Sequence, residues 1–372
     1  MIIYNSKKLL SKIISKFRKE RMKKMKRIMK IVMVFLLVCN LCVGNICYAR
    51  TSDENVIYKY YELLSEGKQN DVLALLGGEY YSDASVILRN ESNKANKIGL
   101  YNIKKASIRS IIRIIDPNEI PVGFDSYVNA KSVFEVIVDV EVYCENEYIQ
   151  NGLAKRYFIL DTNSKIIGCA STMDESDNDG IMTLSCDTPK KGIKGNPSAI
   201  KVLRTKSGTI ETVGFYKYCK VVTVNEVGYN WEQDALNACA LAIKNYGVSR
   251  KYNKKYPDLG FDVKDTEADQ VYNPQKPAMD KCNQAVSDIW YYFMYDAKDG
   301  LFPGFHVHSI AVSPYAKKNG GVVSQTKSQD LARNGKSWKQ IVKYFYNRVS
   351  GTDYYNKDVA VGNISVQYFY SK

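Results

Sequence analysis

The sequence predicts an α+β protein of two domains, and three observations carry that reading. Apolar residues at helical spacing come first, and runs of period two follow them. A polar stretch punctuated by Gly and Pro then separates both from a second mixed segment. At 372 residues the chain is long enough for two separate cores.

A leader precedes both domains. Residues 1–49 hold twelve Lys or Arg against one acid, so +11 of the formal +14 sits there and +3 is left for the rest. The basic character belongs mainly to the leader, which removes the chief support for nucleic-acid binding. After Lys30 an apolar run from Ile31 to Val38 continues with interruptions to Val43, and Cys47 and Ala49 stand where a signal peptidase reads small residues. The segment reads as a signal peptide cleaved after Ala49. The alternative is an uncleaved anchor, although Asn40 and Asn45 keep the run short of the ~20 apolar residues that span a bilayer. On either reading the bulk of the protein is secreted or associated with the cell wall, and any membrane contact is made through the leader.

Residues 53–173 form the first expected domain. Ile57, Tyr60, Tyr61 and Leu64 recur at helical spacing and Gly67 ends that helix; a short second helix is expected over Val72 to Leu76. Residues 101–115 read as a strand. Phe134, Val136, Val138, Val140 and Val142 share one face of the next strand, with Glu135, Asp139 and Glu141 opposite. Leu153 to Leu160 and Lys165 to Cys169 complete an antiparallel sheet. Helices followed by a curved antiparallel sheet resemble the nuclear-transport-factor-two-like cone, which implies a docking or spacer role.

Residues 174–197 read as a linker, polar at first and then broken by Pro189, Gly192, Gly195 and Pro197. The second domain, 198–372, opens with a hairpin, Ala199 to Arg204 and Ile210 to Val213 around Ser207 and Gly208. An apolar, β-branched run from Tyr218 then reads as a strand that delivers Glu226 to a turn. Ala235, Leu236, Cys239, Ala242, Ile243 and Tyr246 trace one face of a slim helix that Gly247 is expected to stop. A helix over Ser337 to Arg348 and a strand near Ile364 to Tyr370 close the chain.

Little in the sequence outside Glu226 is equipped for chemistry. Six cysteines follow the leader (Cys144, Cys169, Cys186, Cys219, Cys239 and Cys282), an even number that permits disulfides without fixing their pairing. No CxxC or Cys/His cluster suggests a metal. His306 and His308, the only histidines, share a strand face but lack a third ligand nearby, so no metal and no cofactor are expected. No GxSxG elbow supports a serine nucleophile.

Three separated segments share a pattern. The first runs from Val224, Asn225 and Glu226 through Trp231 to the small-residue helix containing Ala235, Ala238, Ala240, Ala242, Lys244 and Tyr246. The second holds Asp262, Asp265, Thr266, Gln270 and Tyr272. The third holds Gly320 to Gln325, Leu331, Ala332, Gly335, Ile341 and Tyr344. Together they resemble the stage II sporulation protein D/LytB (SpoIID/LytB) family of bacterial cell-wall proteins, over about residues 199–350. Lys244 stands where the family has an arginine and Cys239 where it has a glutamine. Lys264, Ala268 and Asp269 occupy places that carry Cys and His in zinc-binding members.

The resemblance implies peptidoglycan glycan strands as the partner, together with other cell-wall hydrolases. It implies a lytic transglycosylase that cuts between N-acetylmuramic acid and N-acetylglucosamine, with Glu226 as its acid and base. Lys244, Trp231, Gln270, Tyr272, Ser324 and Gln325 would line the glycan cleft, while Asp265 fixes a loop. The chemistry suits a lone carboxylate, because the muramic C6 hydroxyl serves as the nucleophile and no second acid need activate water. The alternative is a wall-binding or amidase-enhancing module that holds glycan without cutting it. A further reading is a surface protein that uses both domains for partner contacts.

Overall fold

The chain divides into two units, residues 1–51 and 52–372. The structure, a computed structural model, describes residues 51–115, 130–171, 195–228, 230–296, 300–301, 304, 306–307, 322–346 and 365–368. The expected leader, most of the linker, Cys186 and His308 lie outside the described residues. The fold is α+β.

Helix α1 (Ser52–Ser65) buries Ile57, Tyr60, Tyr61 and Leu64, as their spacing requires. Gly67 follows at φ 72°, a left-handed position open to glycine. After α2 (Gln69–Val72) and a single 3-10 turn comes α3 (Gly78–Arg89), a helix that sequence reasoning left out, then the short α4 (Glu91–Ala95). Strands β1 (Ile103–Ile114), β2 (Ser132–Val142), β3 (Gly152–Leu160) and β4 (Ile166–Ala170) form one antiparallel sheet in sequence order. The buried face of β2 is the expected one: Phe134, Val136, Val138, Val140 and Val142.

In the second half, β5 (Ala199–Arg204) and β6 (Thr209–Gly214) form the expected hairpin, and β7 (Val263–Lys264) pairs parallel with β5. The run thought to be a strand is helix α5 (Phe215–Glu226). Its β-branched residues favour a strand locally, but Phe215, Tyr218, Cys219 and Val222 are buried at helical spacing, and that packing outweighs propensity. Thr223 Oγ1 and Asn225 Nδ2 donate to the carbonyls four residues back, at 2.7 and 2.8 Å, further tying side chains to the helix.

Helix α6 (Gln233–Tyr252) does not stop at Gly247 but runs one turn and a half beyond it. Gly247 serves a close approach instead: a Cβ there would lie 2.8 Å from Cε2 of Phe215, which is fully buried. Gly247→Ala would gain about 1 kcal/mol of helix propensity. Against that stands an overpacking cost of about 1–3 kcal/mol in a core that cannot yield. Net destabilisation is expected, read as a lower urea midpoint.

Helix α7 (Asp280–Ile289) buries Cys282, Ala285, Val286 and Ile289 against α5 and α6. Strand β8 (Tyr292–Asp296) lies between β9 (Gly300–Leu301) and β12 (Ser365–Tyr368). Strand β10 (His306–Val307) pairs parallel with β11 (Val323–Ser324), which runs directly into α8 (Gln325–Arg333); α9 (Trp338–Tyr346) then packs on α6. Among the described residues no helix is long and apolar enough to cross a membrane. The described cysteines Cys144, Cys169, Cys219, Cys239 and Cys282 are all free thiols.

Two apolar cores form, and the sheet's core recruits residues from beyond the linker: Leu203, Tyr256, Leu259 and Phe261. Ionic contacts join the halves as well. Lys264 of β7 pairs with Glu79 at 2.7 Å and with Asp83 at 3.2 Å, both on α3. Burial pushes the Asp83 carboxyl up to about 6, against the opposing pull of Lys264. A carboxyl raised on folding stabilises fully below its unfolded value near pH 4 and loses that contribution as pH climbs through 6. Asp83→Asn lacks this slope. Its stability relative to the parent protein should therefore rise by about 2–3 kcal/mol between pH 4 and pH 7, measured by urea unfolding.

Candidate active site

Glu226 is the last residue of α5 and is half-buried. Two donors from distant segments hold it. Oε1 accepts from the Val271 N–H at 2.8 Å, and Oε2 accepts from Gln325 Nε2 at 2.9 Å. Each carboxyl oxygen thus keeps a second lone-pair position for a proton or a substrate hydroxyl.

Gln325 is placed by the β11–α8 junction. Ser324 caps the helix, its hydroxyl accepting from the Lys327 N–H at 3.2 Å, and the next residue projects from the first turn. One turn later Gln329 Oε1 accepts from the Glu232 N–H at 2.8 Å. The same helix face therefore grips both Glu226 and the segment after it. Within that segment Trp231 folds back over Gly228, where a Cβ would sit 2.2 Å from the indole Nε1. Glycine is required there by the approach of the ring. Trp231 is half-buried against the larger core, five residues after Glu226 in the chain.

Four expected cleft residues are placed differently. Lys244 is fully buried, and its Nζ donates to the Trp290 and Tyr292 carbonyls at 2.8 and 2.6 Å, 3.6 Å from the centre of the Phe293 ring. Burial pushes its pKa well down, with the nearby Cys219 opposing weakly. Every residue of α6 from Ala235 to Arg250 is buried, so this amine tethers the helix to β8 instead of facing a glycan. Ser324 is spent on its cap. Tyr272 stacks on Tyr218 at 5.6 Å, with Arg204 over its ring at 5.3 Å. Gln270 has no exposed surface. All four are buried, which removes them from a sugar's reach. Asp265 fixes its loop as expected, accepting from the Thr205 N–H at 3.1 Å and Oγ1 at 2.8 Å.

His306 lies beside Gln270, with Nε2 at 3.4 Å from the amide nitrogen, and its ring meets Tyr246 edge-on at 5.9 Å. Its sequence offers no local signal for this place, since it stands eighteen residues before Ser324. Asp269 is a buried hub. It accepts from Tyr246 Oη at 2.6 Å, Tyr256 Oη at 3.0 Å, the Lys264 N–H at 2.9 Å and Lys255 Nζ at 3.2 Å. Burial alone would raise its carboxyl, but Lys255, Arg250 and Lys264 together hold it below the ordinary range. Among the described residues no group of three or more His, Cys, Asp or Glu side chains is arranged to hold a metal ion.

No curated protein matches the chain. Residues 204–290 match the family model for SpoIID, the stage II sporulation protein. That stretch runs from the end of β5 to just past α7 and includes Glu226, Trp231, Gln270 and Val271, while Gln325 and His306 lie beyond it. From its family match, with a lone glutamate at the end of α5 and a buried small-residue helix behind it, the segment 204–290 is a SpoIID domain, and the second half of this α+β chain is built around it.

Proposed function

We propose that the protein is an exported peptidoglycan lytic transglycosylase in which Glu226 acts as both acid and base. A SpoIID domain supports a cell-wall-related function in sporulation. The observation that carries the finer reading is the double clasp on Glu226, at 2.8 Å by the Val271 N–H and at 2.9 Å by Gln325, on a side chain still partly open to solvent. A carboxyl held in one orientation at a protein surface is equipped to meet a glycosidic oxygen.

The protonated Glu226 donates its proton to the oxygen joining muramic C1 to C4 of N-acetylglucosamine. The C1–O bond breaks with its electron pair on the departing sugar, leaving an oxocarbenium-like centre. The muramic C6 hydroxyl then attacks C1, and its proton passes to the Glu226 carboxylate. The products are a 1,6-anhydromuramyl end and a free 4-hydroxyl, with no water consumed and the acid restored. The leader of residues 1–49 would bring the enzyme to this substrate.

The test is digestion of purified sacculi, with and without stem peptides, followed by mass analysis of the released glycans. Products lighter by one water than ordinary reducing ends, in either sample, support the reading. Glycan retention with no such product supports a wall-binding module instead.

A further inference from the structure

We infer that Gln270 and His306 are positioning residues for Glu226, forming a hydrogen-bonded relay that fixes the peptide whose N–H holds the carboxyl. The inference rests on the proposed role of Glu226; it adds His306, which lies outside both the family match and the expected cleft, and gives Gln270 a positioning role in place of the expected contact with glycan.

The Gln270 amide uses its full donor capacity. Its Oε1 accepts from the Tyr218 hydroxyl at 2.7 Å, and its Nε2 donates to the Ile243 carbonyl at 3.1 Å. The carbonyl fixes which end of the amide is which, because a flipped amide would set oxygen against oxygen. The second Nε2 hydrogen faces His306 Nε2 at 3.4 Å. That contact requires a lone pair on the imidazole nitrogen. His306 Nδ1 lies 3.0 Å from the Gly304 carbonyl, which can only accept, so the ring proton sits on Nδ1. The two ends of the ring therefore specify one neutral tautomer independently.

With no exposed surface and three partners, Gln270 cannot rotate without leaving buried polar groups unpaired. The next residue is Val271, whose N–H meets Glu226 Oε1. Helix α5 thus grips the 270–271 segment twice, through Tyr218 near its start and Glu226 at its end. Both donors to Glu226 also trace back to one strand pair. Gln325 follows β11 directly, while Val271 is reached through Gln270 from His306 on β10, and β10 pairs with β11 through His306–Val323 and Val307–Ser324. A shift of His306 would accordingly move one donor to Glu226 relative to the other.

The test uses the purified protein with three substitutions. His306→Phe keeps a flat ring against Tyr246 but offers no acceptor. His306→Gln restores an acceptor near the Nε2 position. Gln270→Leu removes the whole junction. Amide exchange at Val271, followed by NMR, should accelerate about tenfold or more in His306→Phe and Gln270→Leu and return toward the parent rate in His306→Gln. On soluble glycan strands, kcat should fall about 10- to 100-fold in the first two with KM nearly unchanged, and His306→Gln should recover most of it. Unaltered Val271 exchange in the folded His306→Phe protein overturns the relay whatever the activity. Faster exchange with undiminished kcat overturns the positioning role. If the parent protein releases no anhydro product, the transglycosylase reading fails, and the exchange measurement still decides whether the relay exists.

Discussion

Glu226→Gln is expected to abolish release of anhydromuramyl products from sacculi, with a loss of about 10²–10⁴-fold or more, the usual worth of a positioned proton donor. The substitution removes little else. A glutamine keeps the length of the side chain and can still accept from the Val271 N–H through its amide oxygen. Gln325 would then meet an amide nitrogen in place of Oε2, a clash that a flip of its own amide relieves. The fold should lose no more than about 1 kcal/mol, the net worth of one such hydrogen bond. Retention of the variant on insoluble glycan should match that of the parent. If the variant still yields anhydro ends at the parental rate, another group supplies the proton and the assignment of Glu226 is wrong. A loss of binding together with activity would mean that Glu226 holds substrate rather than transforming it.

The sheet was legible in the sequence because alternation in β2 leaves a single choice of face. The α5 helix was not, since Val221, Val222, Thr223 and Val224 form a β-branched run whose local preference is reversed by packing on α6 and α7. Glu226 was singled out through the chain's likeness to a family and through Trp231 five residues on. Its partner Gln325 stands 99 residues away, and no local pattern encodes that contact. Lys244 misled for a physical reason. On most helices a lysine marks the wet side, but α6 has no wet side between Ala235 and Arg250, so its terminal nitrogen turns to main-chain carbonyls. Gln270 and Tyr272 read from the sequence as glycan-facing, but both are buried. Depth is a property of the assembled elements, and the spacing of polar residues along the chain does not report it.

Asp258→Ala should cost about 3–5 kcal/mol, the price of stranding a buried charge. Asp258 lies inside the SpoIID match, yet every partner named here precedes that match. Arg156 Nε donates to it at 3.0 Å, the Tyr60 and Tyr61 hydroxyls at 3.1 and 3.5 Å, and the Cys169 thiol at 3.6 Å. Without the carboxylate, Arg156 stays cationic with only the Lys155 and Tyr148 carbonyls, at 3.1 and 3.3 Å, to receive it. Replacing both partners, as in Arg156→Met with Asp258→Ala, should recover much of the loss because no unpaired charge then remains. The pair therefore ties the segment that matches SpoIID to the sheet that precedes it, beside the shared packing of Leu203, Tyr256, Leu259 and Phe261. A joint of that kind predicts one urea transition for the parent protein, coincident by tryptophan fluorescence and far-UV circular dichroism, since all three tryptophans lie at or beyond Trp231 while the circular dichroism reports both halves. Two separated transitions would show that the halves unfold independently and that the pair contributes little.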